Sequence, residues 1–559
     1  MTQVESDSSQ YQQIDLAVSE LERGAAALVR WPIAKRREVA RACCASVARV
    51  ATEWVEAACE AKRIPPGSKA RAEEVTGGPI ATLRQLQLLV ATCDDIDLYN
   101  EPMLPGRVTT DDGQFRMKVF PTKQLFDSLL FGPIKAETWL EPGVRKGEMF
   151  APSLQGLANP GTAIPQIVCV LGAGNVSSIP ATDTLTKILQ ENKTVLLKMN
   201  PVNGYLGDIF KRALAPLIDE SVLRIVEGAA DVGAATIGHS GISAVHITGS
   251  TQTHDAIVWG RTKAERDQNL ANNSPVLSKQ ITSELGNVTP WAIVPGRYSE
   301  RQLKFQAANI AASITNNASF NCIATKLILT SKHWTQREQF LALLDEQLRQ
   351  TPVRYAYYPG ATSRFEKFAE QKPSDPDHLP WTVRRDIDLN DQRHMMSEES
   401  FVCVCGEVCL EDEADEEFLQ TAVRLMNDQV WGTLAASLTI PNRLQGTDAL
   451  GNAIRDLRYG TIGVNQWSAI AFALMSPPWG AYPGSALADI QSGIGFVHNT
   501  FLLNRPQKTI LRSPLASRPK PIWFSSHRCP EAVAWRLLEL YTQPSVWRLP
   551  RLLACSLRG

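Results

Sequence analysis

Between residues 166 and 248, four short apolar runs recur, each followed by a more polar stretch of helix-forming composition. Few folds accommodate that alternation. The runs are residues 166–171 (QIVCVL), Thr194–Lys198 (TVLLK), residues 222–226 and Ala244–Thr248. The first is followed by a tight, small-residue turn, Gly172-Ala173-Gly174-Asn175. Strands and helices alternating at this period predict a parallel sheet with helices on both faces. Sheets of that kind bind nucleotides in the crevice at the carboxyl ends of their strands.

The rest of the chain divides around this unit. With 559 residues it is long enough for two or three domains, and with 44% hydrophobic and 21% charged residues it reads as globular. Residues 12–89 are rich in Ala, Glu, Arg and Leu at helical spacing, most clearly over 33–55, with a break at Pro65-Pro66. Residues 111–165 carry short apolar pieces separated by Gly and Pro, which reads as loops and short strands forming an arm. A second α/β unit begins after Glu284 and runs to about Gly480. Beyond Pro506 the chain turns Pro-, Arg- and Trp-rich, with an amphipathic helix expected over 531–541.

Several function classes are disfavoured at this level. Lys and Arg total 57 against 58 for Asp and Glu, so no face-wide positive charge is implied and no nucleic-acid partner is expected. The eleven cysteines are irregularly spaced, with Cys43-Cys44 adjacent and Cys403, Cys405 and Cys409 clustered but no Cys-x-x-Cys pair. They read as reduced thiols rather than a disulfide or zinc framework, and no metal is expected. The polar opening segment lacks the charge and apolar runs of a signal peptide, and no stretch is long and apolar enough to span a bilayer. A cytoplasmic enzyme is the expectation.

Candidate chemistry centres on Cys322, in the small, amide-rich stretch Asn316-Asn317-Ala318-Ser319-Phe320-Asn321 just before an apolar run at 327–329. A loop there lets backbone N–H groups face a substrate, and the thiol is expected to be activated, alkylating faster than the other ten. Glu284 sits in Ser283-Glu284-Leu285-Gly286-Asn287 at the end of a strand-like run. Asn175 lies in the turn after the first strand, and Thr248-Gly249-Ser250-Thr251 closes the last. Glu399-Ser400-Phe401 follows much later. Singly, these have ordinary readings as a solvated charge, a turn residue and a helix cap.

In this order they resemble the aldehyde dehydrogenase superfamily over roughly residues 15–505, also through Lys198 and Ser492-Gly493-Ile494-Gly495. The resemblance implies an α/β fold: a Rossmann-like nucleotide-binding domain (1–110 and 166–285), an α/β catalytic domain (286–484), and a small oligomerisation arm with bridging elements (111–165 and 485–505). Residues 506–559 form a C-terminal extension. It further implies that Cys322 is the nucleophile, Glu284 the general base, and Asn175 with the Cys322 N–H the oxyanion donors. Lys198, Gly249, Ser250, Glu399 and Phe401 would bind an NAD or NADP cofactor. The expected reaction is oxidation of an aldehyde to a carboxylic acid through a thiohemiacetal and a thioester, in a homodimer or homotetramer.

Departures from the family pattern mark a divergent branch. Ser319 and Phe320 replace Gly and Gln before the cysteine, Ala173-Gly174 replaces Pro-Trp before Asn175, and His254 and Asn287 stand where glycines are usual. The stretch between Ser250 and Glu284 is about a dozen residues longer than usual. Pro201 occupies a position often acidic in NAD-preferring members, which leaves NAD and NADP both open. Two other readings stand beside the leading one: an acylating relative that exchanges the thioester with coenzyme A or reduces acyl thioesters, and a catalytically silent scaffold. The C-terminal extension is open between docking on its own domain and contacting a membrane surface or partner.

Overall fold

The computed structural model describes residues 3–124, 126–412 and 414–559, with side chains from Tyr11 onward. The first two residues of the polar opening segment lie outside the described residues.

The four apolar runs become Ile167–Leu171, Thr194–Lys198, Leu223–Val226 and Ala244–Thr248. With Gln280–Glu284 they form five parallel strands, and Gly493–Ile494 adds an antiparallel edge beside Gln280–Glu284. Successive side chains on a strand point to opposite faces. Ile167 and Cys169 accordingly join Ile14, Leu21 and Ile237 on one side. Val168 and Val170 join Trp54, Leu185 and Phe210 on the other. Burial on both faces is why these strands read as continuous apolar runs. The Ala-rich N-terminal stretch forms Gln3–Leu28, Ile33–Ala61 and Ala81–Tyr99, and the long second and third of these helices cover the Val168 face.

A second sheet has ten strands. Its seven parallel strands run, across the sheet, Pro506–Arg512, Thr461–Val464, Ala435–Thr439, Pro290–Ile293, Leu327–Ser331, Val404–Leu410 and Thr382–Arg384. Three antiparallel strands extend it: Lys135–Leu140, Gln114–Phe120 and Val108–Asp111. Asp112 and Gly113, both at positive φ, make the two-residue turn of the outer hairpin. The segment expected as an arm therefore continues this sheet. The expected C-terminal extension begins differently from its sequence reading, because its first seven residues are a strand inside the same sheet. Pro506 is tolerated there at the strand's first residue, where a missing N–H costs least.

The remaining extension folds back on the N-terminal helices. Pro530–Thr542 buries Ala534, Leu538 and Tyr541 in the core that contains Trp54, and Tyr541 meets Arg84 at 2.8 Å. This is the self-docked arrangement of the two left open by the sequence. The stretch between Ser250 and Glu284 contains the helix Lys263–Ala271, opened by a capping box of Thr262 and Glu265. Among the described residues, no helix is long and apolar enough to cross a membrane.

Candidate active site

The two sheets meet along a cleft of about 1560 Å³ lined by Asn175, Lys198, Gly249, Ser250, Glu284, Cys322, Glu399 and Phe401. All eight residues singled out in the sequence thus face one cavity, although 226 positions separate the first from the last. Five stand at the carboxyl ends of the first sheet's strands or in the turns that follow. Gln280–Glu284 ends that sheet, the chain crosses through residues 285–289, and Pro290–Ile293 opens the second. Glu284 and Cys322 consequently approach the cleft from opposite sides.

Cys322 is half-buried, with its Sγ 3.9 Å from Glu284 Oε1. Its thiol does not have the lowered pKa expected from the sequence. Burial pushes it well above its ordinary value, Glu284 and Glu399 add to that, and buried Lys326 opposes it. Glu284 is itself pushed up to about 8, by burial first and then by the charge of Asp183. Trp479 Nε1 donates to Glu284 Oε1 at 2.9 Å, which pulls the other way, while Oε2 has no partner. A neutral thiol beside a buried carboxyl would need a base to act as a nucleophile, rather than standing as a thiolate.

The loop before the cysteine is held from behind. Asn317, Ala318 and Ser319 all adopt positive φ, at 52°, 55° and 68°. Non-glycine residues rarely take that conformation three in a row, so the surroundings must impose it. Lys62 Nζ, buried, binds both oxygens of Glu74 and also the Asn175 carbonyl at 3.1 Å and Asn317 Oδ1 at 3.0 Å. Asn317 Nδ2 donates to the carbonyls of Asn175 and Phe320. Asn175 Nδ2 donates to the same Phe320 carbonyl at 3.2 Å, which leaves its second N–H available to the cleft.

The family departures have local reasons. Phe320 is buried in a cluster with Tyr357, Tyr358 and Phe401, ring centroids 5.0–6.0 Å away. Ser319 Oγ donates to the Val402 carbonyl at 3.2 Å. Asn287 Nδ2 pins the crossing between the sheets, donating to Thr289 Oγ1 and the Ala435 carbonyl. Gly174 is required because a Cβ there would meet Asn200 Oδ1 at 2.7 Å. His254 is fully buried beside Asp255.

The other end of the cleft suits a dinucleotide. Ser250 caps the helix Thr251–Val258, accepting from the Thr253 N–H at 3.2 Å, and the backbone dipole of that end favours an anion. Lys198 is buried, its pKa lowered by that burial against the pull of Asp231. Glu399 is pushed up to about 7 by burial, and its Oε1 has no partner. A polar ligand group is what such an oxygen lacks. Gly286 must be glycine, since a Cβ would strike the Glu399 carboxylate.

Sequence reasoning missed Trp479, Lys62, Asn317 and Asp183. Trp479 lies 195 positions from the carboxylate it touches, and no motif brackets it. Asn317 sat within the quoted stretch, and its partnership with Lys62 spans 255 positions.

The aldehyde dehydrogenase family's sequence profile matches residues 179–361. No curated protein matches the chain in sequence. Among solved structures, the chain is similar to the aldehyde dehydrogenase KauB from Pseudomonas aeruginosa, with a TM-score of 0.61 at 16% identity, over 90% of this chain and 89% of that one. It is similar to aldehyde dehydrogenase 21 from Physcomitrella patens in complex with the reaction product succinate, with a TM-score of 0.60 at 13% identity, over 90% of each chain. A third is glyceraldehyde-3-phosphate dehydrogenase GapN from Methanocaldococcus jannaschii complexed with NADP, with a TM-score of 0.59 at 14% identity, over 90% of this chain and 94% of that one. At these identities the structural likeness is one of fold. Residues 179–361 thus match the aldehyde dehydrogenase family in sequence, and the chain shares the fold of solved aldehyde dehydrogenases.

Proposed function

We propose that the protein oxidises an aldehyde to a carboxylic acid with NAD or NADP, using Cys322 as nucleophile and Glu284 as base. The observation that carries this reading is the 3.9 Å approach of Cys322 Sγ to the Glu284 carboxylate, in the same cleft as Lys198, Ser250 and Glu399. Glu284 takes the thiol proton as Sγ attacks the aldehyde carbon. The alkoxide of the resulting thiohemiacetal is met by the free Asn175 amide N–H and the Cys322 backbone N–H. A nicotinamide cofactor would supply the hydride acceptor, and Glu399, Lys198, Ser250 and Phe401 are the residues that would hold it. That two-electron oxidation leaves a thioester on Cys322. Once Glu284 has given up the thiol proton to solvent, it takes one from water as the water oxygen bonds to the acyl carbon, the C–S bond breaks, the sulfur takes that proton back, and the acid departs.

Relatives of this fold solved with NADP, and another with NAD+, support the cofactor class without choosing between the two. A carboxylate within reach of the sulfur favours release by water over exchange with coenzyme A. It also counts against a silent scaffold, which has no use for a buried base. For assembly as a homodimer or homotetramer, the surface we propose is the edge strand Val108–Asp111 with its hairpin, which ends the sheet.

The test is single-turnover absorbance of the reduced nicotinamide with a panel of aldehydes and each cofactor. A burst in the wild type that Cys322→Ala abolishes, with cofactor binding intact, is the expected result. A burst that survives in Cys322→Ala removes the nucleophile, and no burst with any aldehyde overturns the reading.

A further inference from the structure

The helix Pro530–Thr542 lies outside the cleft, yet each of its ends is tied to one of the two groups proposed to react. In its first turn, Glu531 Oε1 accepts from Arg71 Nε at 2.9 Å, while Glu56 takes another nitrogen of that guanidinium. Arg71 is the first residue of the short helix Arg71–Val75, whose Ala72 and Val75 share a core with Ala534, Leu538 and Tyr541. On the same short helix, Glu73 Oε2 accepts from the Asn317 backbone N–H at 2.9 Å and also from Arg354. Glu74, the next residue, is the partner of Lys62, which holds Asn175 and Asn317. Both carboxylates of this helix therefore bear on the loop of successive positive φ angles that leads to Cys322.

In the last turn, the Tyr541 hydroxyl accepts from Arg84 Nη1 at 2.8 Å, and the Tyr541 carbonyl accepts from Gln87 Nε2 at 2.6 Å. Arg84 is fully buried. Asp127 takes both of its terminal nitrogens, and its Nε donates to the Leu474 carbonyl at 2.7 Å. Leu474 ends the helix Ile470–Leu474, and Met475 turns the chain at a φ of 56°. Ser476-Pro477-Pro478 then leads to Trp479, whose Nε1 donates to Glu284 Oε1 at 2.9 Å. Two consecutive prolines fix their own φ angles, so this spacer is short and stiff. Glu531 and Tyr541 stand about 15 Å apart along one helix.

We propose that this helix braces the reacting pair, with Glu531 as the positioning residue for the Cys322 loop and Tyr541 as the positioning residue for the Glu284 base. The inference rests on the reading of Cys322 as nucleophile and Glu284 as base. Neither positioning residue lines the cleft. Glu531 fixes Arg71–Val75, and through Glu73 and Glu74 it keeps Asn317 in a backbone conformation that its surroundings must impose. Tyr541 steadies the Arg84 guanidinium on the Leu474 carbonyl, and the proline spacer carries that position to the indole. The groups acting on the Glu284 carboxyl are Asp183 from the helix Ile179–Leu185, Cys322 from its loop and the Trp479 N–H. The indole N–H favours the charged carboxylate, against the burial and the Asp183 charge that raise it. The two ends therefore fail differently. Loss of Glu531 disturbs the geometry at the sulfur at every pH. Loss of the Tyr541 hydroxyl loosens the indole and changes the pH at which the base form appears.

An activated aryl ester, 4-nitrophenyl acetate, tests this without cofactor, because it acylates a thiol directly, releasing nitrophenolate and leaving a thioester. Acylation of Cys322 is read as a nitrophenolate burst and by intact mass, and deacylation as the decay of that adduct, each as a function of pH. In Glu531→Gln, acylation on the high-pH plateau should be slower by about tenfold or more, with the acid limb in place. In Tyr541→Phe the plateau should stand and the acid limb should move to higher pH, leaving rates on the limb about threefold lower. Leu538→Ala is the control. It removes packing from the same helix without touching either tie, so it should melt lower and keep both plateau and limb. A wild type that forms no adduct on Cys322 overturns the nucleophile reading and the brace with it. An adduct that forms and decays as in the wild type in either variant overturns the brace alone. Kinetic changes in Leu538→Ala that match those of the other two assign the helix a role in stability only, and overturn the brace equally.

Discussion

Burial and the charge of Asp183 raise the Glu284 carboxyl, which makes its stability contribution run opposite to that of most carboxylates. A carboxyl raised from 4.5 to about 8 holds more protons folded than unfolded between those values, so stability falls as pH rises through that window. Glu284→Gln removes the buried charge. Its melting temperature should exceed the wild type's at pH 9 and match it near pH 5. The same shift predicts that wild-type deacylation accelerates toward pH 8, where the base form appears. Gly286 offers a separate test on the cofactor side. Gly286→Ala forces the Glu399 carboxylate aside, and the expected result is cofactor affinity weakened at least tenfold by titration, with about 1–3 kcal/mol lost from stability for the overpacked site.

Among the elements, the loop before Cys322 depends on a buried ion pair that no motif announces. Lys62→Met leaves Glu74 charged and alone in the core, which costs about 3–5 kcal/mol by denaturant melt. Adding Glu74→Leu should recover much of that stability but not the activity, since Asn175 and Asn317 still lack their anchor. The strands around the cleft were legible because burial on both faces writes continuous apolar runs, and the eight cleft residues were legible because each closes such a run or sits in an ordered motif. Lys62, Trp479 and Asp183 were not, because their roles come from pairings across the fold that leave no periodicity. The hairpin at Asp112-Gly113 did leave a signal, a two-residue Asp-Gly turn between extended segments, but its strands are short and only partly buried, so the alternation around it is weak.

At the scale of the molecule, the C-terminal helix Pro530–Thr542 is part of the core it covers. Leu538→Ala should cost about 2–4 kcal/mol in a denaturant melt, as for other buried leucines. Trp547, 87% exposed, should be replaceable by Ala within about 0.5 kcal/mol, so that the two variants separate the docked face from the outer one. The crossing at residues 285–289 has a consequence for timing. Glu284 belongs to one sheet and Cys322 to the other, so the gap between the sheets works as a caliper on the pair of them. A displacement of about 1 Å at a reacting pair costs on the order of a hundredfold in rate. Any widening of the cleft would therefore part the proposed nucleophile from its proposed base, so one gap would set both access and rate.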